Sequence, residues 1–146
     1  MGPQITGDET ATVVDKSEVL FGDEGRLERL MVDTVTASTG STANVLREAM
    51  GALAADFQPR RTALVKRATV IESVPDLAER ELWKMRTLSQ TLMRVMTERA
   101  GDDLATHAQV DVALALFGSA FRSWVHEDDP PPLDELIRHA YAAVGL

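Results

Sequence analysis

His107, His126 and His139 are the chain's only histidines, and they are the first residues to weigh for catalysis or metal binding. No two stand one helical turn apart, so the H-x-x-x-H arrangement of a zinc site does not arise. Cysteine is absent, which removes thiolate ligands and disulfides and fits a cytoplasmic location. His107 precedes Asp111 by one helical turn, a spacing at which a hydrogen-bonded pair can carry general acid–base chemistry. The plainer reading is a surface or interface pair. Glu72, Glu79 and Glu81 flank a helix junction and read as solvated charges. Gly22 and Gly25 lie in the acidic turn FGDEG, which repels phosphate, and no G-x-S-x-G elbow is present. No catalytic residue, metal or cofactor is therefore expected. A cofactor-free isomerase or cyclase remains a minor alternative to a non-enzymatic protein.

The one basic cluster is PRRTALVKR at 59–67, with Arg60, Arg61, Lys66 and Arg67. It reads as a solvated helix face, or as a partner for an anionic ligand or the acidic surface of a neighbouring segment. The formal net charge of −8 opposes approach to a phosphate backbone, so this chain is expected to make no direct nucleic-acid contact. No run of about 18 apolar residues appears, so no membrane span is expected. The opening MGPQITGDETATVVDKSE has neither the basic nor the apolar region of a signal peptide.

These residues must be held by helices. The chain of 146 residues is long enough for one domain with a real core. Residues 1–14 lack periodicity and read as a flexible N-terminal arm. Leu27, Leu30, Met31 and Val35 then recur at helical spacing. STGST at 38–42 breaks the pattern, with Ser41 or Thr42 as an N-cap. Ala43, Leu46, Ala49, Met50, Leu53, Ala54 and Phe57 form the next stripe. Pro59 opens a segment with Leu64, Val65, Ala68 and Ile71, ended at Ser73–Asp76. The longest helix follows, running to Gly101, with Leu77, Ala78, Leu82, Met85, Leu88, Leu92, Met93, Val95 and Met96 on its stripe and Trp83 off it. Asp102 or Asp103 caps a helix over about 104–126. EDDPPP is a stiff break, and a last helix carries Leu133, Leu136, Ile137, Ala140, Tyr141 and Val144. No period-two run suggests a strand.

The helix over 104–126 is apolar on two sides. At about 100° per residue, Val110, Leu114, Phe117, Phe121, Trp124 and Val125 make a bulky face. Ala105, Ala108, Val112, Ala115, Ser119 and Ala120 make a small one, edged by Leu116. Both faces must be covered, either by the chain's own helices or, on one side, by a partner. With the final helix it would form a hairpin, and two such hairpins about a two-fold axis make a four-helix interface. The residues placed there are Ala108, Val112, Ala115, Leu116, Ala120, Ile137, Ala140 and Tyr141.

In this order of elements the chain resembles the C-terminal regulatory domain of TetR-family transcriptional regulators. DKSEVLF at 15–21 resembles the family's F-P-x-K-E-x-L junction, where the DNA-binding head passes into the connecting helix. VPDLAER at 74–80 resembles the start of its long central helix. AQVDVALALFGSAFRSWV, the Pro-rich turn and LDELIRHAYAAVGL resemble its last two helices. The resemblance covers residues 15–146 and implies an all-α antiparallel bundle of five to six helices, dimerising through the last two. It departs from the family ahead of the junction, where about fourteen residues stand in place of a helix-turn-helix, so operator binding by this chain is not expected. It also implies an apolar effector cavity among the middle helices. Met50, Leu53, Phe57, Met85, Leu88, Leu92, Met96 and Phe117 are the candidate lining, methionine suiting an adaptable pocket. The expected ligand is a small apolar or aromatic molecule, and the expected partner a second copy of the chain. The alternatives are a headless binding or sequestering protein and, less favoured, an enzyme on the same scaffold.

Overall fold

The computed structural model describes residues 24–146, which form six α-helices and no strand. They are α1 Glu24–Ala37, α2 Thr42–Phe57, α3 Arg61–Ser73, α4 Pro75–Ala100, α5 Leu104–His126 and α6 Leu133–Ala143. A 3₁₀ turn over Gln58–Arg60 joins α2 to α3 and places Pro59 in its first positions. The all-α bundle expected from the periodicity is what the chain adopts. The arm at 1–14 and the DKSEVLF junction lie outside the described residues.

The helix ends follow local chemistry. The Ser41 hydroxyl accepts the Asn44 N–H at 3.1 Å and starts α2. Pro75 occupies the first turn of α4 after extended Val74, as its missing N–H allows. Gly101, at φ +114°, ends α4 in a conformation that side chains disfavour. Asp103 caps α5 by accepting the Thr106 N–H at 2.9 Å. The backbone N–H of Thr106, then its side chain, hold the Asp103 carboxyl below its ordinary pKa, with His107 adding a smaller pull.

Other ends are closed by distant side chains. Arg99, in the last turn of α4, donates to the Val35 and Ser38 carbonyls at 2.9 and 2.6 Å, closing the end of α1. Arg61 does the same for α5, donating to the Trp124 and Glu127 carbonyls at 3.1 and 2.8 Å. Pro132 has no side chain to cap α6, and the Gln58 side-chain oxygen accepts the Leu133 N–H instead, at 2.8 Å.

Met31, Val45, Met50, Leu92, Met96, Val110, Trp124 and Leu133 are inaccessible to solvent at the centre of the bundle. α5 packs most extensively on α6 and also touches α2, α3 and α4. α1 lies along α4 in the same direction: their C-terminal ends meet at Arg99, and their N-terminal halves face a common cavity.

Two stripe residues of α4 depart from the sequence reading. Leu82 is 72% exposed and Met85 41% exposed. The buried sector is instead set by Lys84, Leu88, Leu92, Val95 and Met96. Leu82 falls about 40° beyond that sector at 100° per residue, so the stripe is narrower than apolar spacing implied. Trp83, off the stripe, is 61% exposed.

By length and composition α5 is apolar enough to cross a bilayer. Here its bulky side is core: Val110, Phe117, Trp124 and Val125 are buried among the chain's own helices. Its opposite side is open, with Ala105, Ala108, Asp111, Val112, Ala115, Ser119 and Arg122 all exposed.

Candidate ligand cavity and association face

A cavity of about 210 Å³ opens where the first five helices converge. α1 contributes Leu27 and Glu28, α2 Phe57 and α3 Arg67. α4 contributes Glu81, Lys84, Met85 and Leu88, and α5 contributes Phe117, Gly118, Phe121 and Arg122. Phe57, Phe117 and Phe121 form one aromatic wall. Phe57 meets the other two rings edge to face at centroid distances of 5.8 and 5.7 Å, and Phe117 stacks on Phe121 at 6.3 Å. Gly118 leaves the α5 backbone bare at this wall, and only the Arg122 guanidinium lies within contact of where a Cβ would stand.

The polar part of the lining is compact. Arg67 of α3 pairs with Glu81 of α4 across the mouth, both side chains largely buried. Lys84 borders the cavity and is only 8% exposed. One Glu28 carboxylate oxygen, Oε2, is buried and accepts no hydrogen bond.

Of the eight candidate lining residues, Phe57, Met85, Leu88 and Phe117 border this cavity. Met50, Leu53, Leu92 and Met96 are core residues with exposures of 0 or 1% and do not reach it. The spacing argument missed Leu27 and Phe121, although both carry an apolar stripe signal. It had no means of finding Glu28, Arg67, Glu81 or Lys84, because a charge in a sequence reads as a solvent residue until a neighbour is known.

The candidate interface residues divide similarly. Ala108, Val112 and Ala115 face solvent, with Val112 42% exposed. Leu116, Ala120, Ile137 and Tyr141 are buried within the chain itself, at 8, 3, 7 and 7% exposure, and Ala140 is intermediate. Beside the open strip runs a shallower groove of about 330 Å³ bordered by Leu46, Arg47, Ala108, Val112, Tyr141 and Leu146. The Arg47 guanidinium lies 4.2 Å from the Tyr141 ring centroid and donates to the Leu146 carbonyl at 3.0 Å. Burial raises the Tyr141 phenol above its ordinary pKa, and the Arg47 charge opposes part of that rise.

The histidines stand apart from both features. His107 pairs with Asp102 at 2.6 Å, not with Asp111, because Asp102 lies just ahead of the first turn of α5 and its carboxylate reaches the ring. That pair is on the surface, with Asp102 82% exposed. His126 approaches Glu72 at 3.7 Å and His139 approaches Glu135 at 3.9 Å, both on the surface. The basic cluster is largely spent inside the fold: Arg60 bonds Asp56 at 2.6 Å, Arg61 caps α5 and Arg67 holds Glu81, while Lys66 is exposed. It meets neighbouring segments, the second of the readings open from sequence.

Residues 40–145 match the MftR C-terminal domain family, a TetR-type C-terminal domain. The chain belongs to that TetR family. No curated protein and no solved structure gives a significant match. The TetR match begins just before α2 and ends beyond α6, so it takes in most of the cavity wall and the whole α5–α6 hairpin. α1, which supplies Leu27 and Glu28, precedes it. TetR C-terminal domains are typically regulatory effector-binding and dimerisation units. The His107–Asp102 pair lies outside the cavity lining.

Proposed function

We propose that this domain senses a small, largely apolar or aromatic effector held in the cavity between α1 and α5, and that it forms a homodimer through the open face of α5 together with α6. In this reading it is a cytoplasmic, non-enzymatic protein without a cofactor, and these residues do not themselves contact DNA. The observation that carries the reading is the cavity: five helices share it, its wall is mainly aromatic and aliphatic, and it has room for a single-ring molecule. For comparison, a dry apolar cavity of about 150 Å³ accepts benzene.

The interface reading rests on the outward strip of α5. Ala108, Val112 and Ala115 let a second helix approach closely, and Leu104, 82% exposed, extends the strip at its N-terminal end. Sequestration without signalling is the alternative, and it differs in having no coupling between cavity and partner.

Native mass spectrometry of the protein as purified tests both parts together. A dimer mass, with an added small molecule released on denaturation, is the expected result. Ala115→Arg should give a monomer with the melting behaviour of a folded bundle, since the residue touches no core. A parent protein that is monomeric at tens of micromolar ends the dimer reading.

A further inference from the structure

We propose that the effector is a small aromatic amine, its ammonium group received by Glu28 and its ring held by the phenylalanine wall. The proposal rests on the effector-cavity reading above and narrows it to one chemical class.

Glu28 Oε2 is a buried carboxylate oxygen on the cavity lining that accepts no hydrogen bond among the described residues. Leaving such an acceptor dry costs stability, so the site gains when a donor arrives, most of all a charged one. The other buried charges around the cavity are already engaged. Arg67 and Glu81 neutralise each other, and Lys84 is engaged in an interaction of its own. Arg122 is exposed and donates to the Ser119 hydroxyl at 3.3 Å. An anionic ligand could meet only the exposed, hydrated Arg122 without breaking an existing pair, whereas an amine reaches a buried acceptor that lacks a donor.

The wall favours the same class. The three phenylalanine rings are packed against one another, and their faces attract a cation as well as an aromatic ring. Leu27 and Leu88 supply purely apolar contact on the α1 and α4 sides. A volume of about 210 Å³ suits one ring with a short side chain and excludes a long acyl chain from full enclosure.

The probes are phenethylamine, its anionic counterpart 3-phenylpropionate and the neutral shape control ethylbenzene, measured by titration calorimetry and melting shift on the full chain. Phenethylamine is expected to bind at least about tenfold more tightly than either of the others. Glu28→Gln keeps the side-chain shape and should remove most of that advantage while leaving ethylbenzene binding unchanged, which also shows that the variant is folded. Preference for 3-phenylpropionate, equal binding of amine and ethylbenzene, or an undiminished amine preference in Glu28→Gln overturns the amine assignment and leaves the apolar-cavity reading standing. Failure of all three probes to bind overturns both.

Discussion

Arg99 offers the sharpest test of how α1 is held. Its guanidinium reaches back from the last turn of α4 to two carbonyls at the end of α1, Val35 at 2.9 Å and Ser38 at 2.6 Å. Both belong to the helix end, where carbonyls lose their regular i+4 partner; that of Val35 otherwise accepts only a long bond from the Ser38 N–H, at 3.3 Å, and the end of α1 carries the negative pole of its dipole. Arg99→Ala removes two charge-assisted bonds. Each is worth roughly 1.5–3 kcal/mol when buried. The guanidinium here is partly in water, which discounts them to about 2 kcal/mol together. For a domain of this size that lowers the melting temperature by about 6–8 °C. Arg99→Lys keeps the charge but cannot span both carbonyls, so it should recover less than half of the loss. The measurement is urea unfolding at matched protein concentration, because dimerisation would make stability concentration-dependent. Hydrogen exchange should show lost protection confined to the end of α1 and the following turn. A midpoint within about 0.5 kcal/mol of the parent, or protection lost first in α5–α6, refutes the clamp.

Two further outcomes follow from burial and charge. Met85→Ala, at a residue 41% exposed on the cavity rim, should weaken probe binding with little change in stability, whereas Leu92→Ala at 0% exposure should cost about 2–5 kcal/mol, both read from paired unfolding and titration curves. Tyr141 is the only tyrosine, so its phenol can be followed directly by ultraviolet absorbance. Its folded pKa is raised, so its contribution to stability is fully present below the unfolded value near 10 and is lost as pH rises through the folded one. Ionisation in the native protein should lag that of the unfolded chain, and Tyr141→Phe should flatten the alkaline limb of stability.

Much of the framework was legible in the sequence because its signals are local. Ser41, Pro75, Gly101 and Asp103 act on residues within one turn, and each stands where its helix begins or ends. Phe57, Leu88 and Phe117 were legible as inward positions because a helix of period 3.6 leaves them no other face. What escaped the sequence depends on elements far apart in the chain. The Arg99–Val35 and Arg61–Trp124 bonds join residues 64 and 63 positions apart. Lys84 occupies a core sector of α4 that apolar counting assigns elsewhere, and Leu82, 72% exposed, lies outside that buried sector. The division between Met50, which is sealed in the core, and Met85, which borders the cavity, has the same origin. Both are stripe methionines, and only the positions of α1 and α5 distinguish them.

The placement of α5 joins the two halves of the proposed function. Phe117, Gly118 and Phe121 meet the cavity, while Ala108, Val112 and Ala115 of the same helix form the open strip. A rigid helix moves as a unit, so a ligand that displaces the phenylalanine wall also displaces the strip. α1 enters the same balance from the other side: Leu27 and Glu28 touch the cavity, and Arg99 holds its far end. The two events are then linked in free energy, and the linkage is reciprocal: with one cavity in each subunit, an effector that binds each associated subunit about tenfold more tightly must, at saturation, tighten self-association about a hundredfold. Ala115→Arg, which opens the interface without touching the cavity, should therefore change probe affinity per site by the square root of the factor by which saturating probe changes dimer affinity. A probe affinity unchanged in Ala115→Arg and a dimer affinity unchanged by the probe would mean that the helix bends between Val112 and Phe117, and that cavity and face act separately.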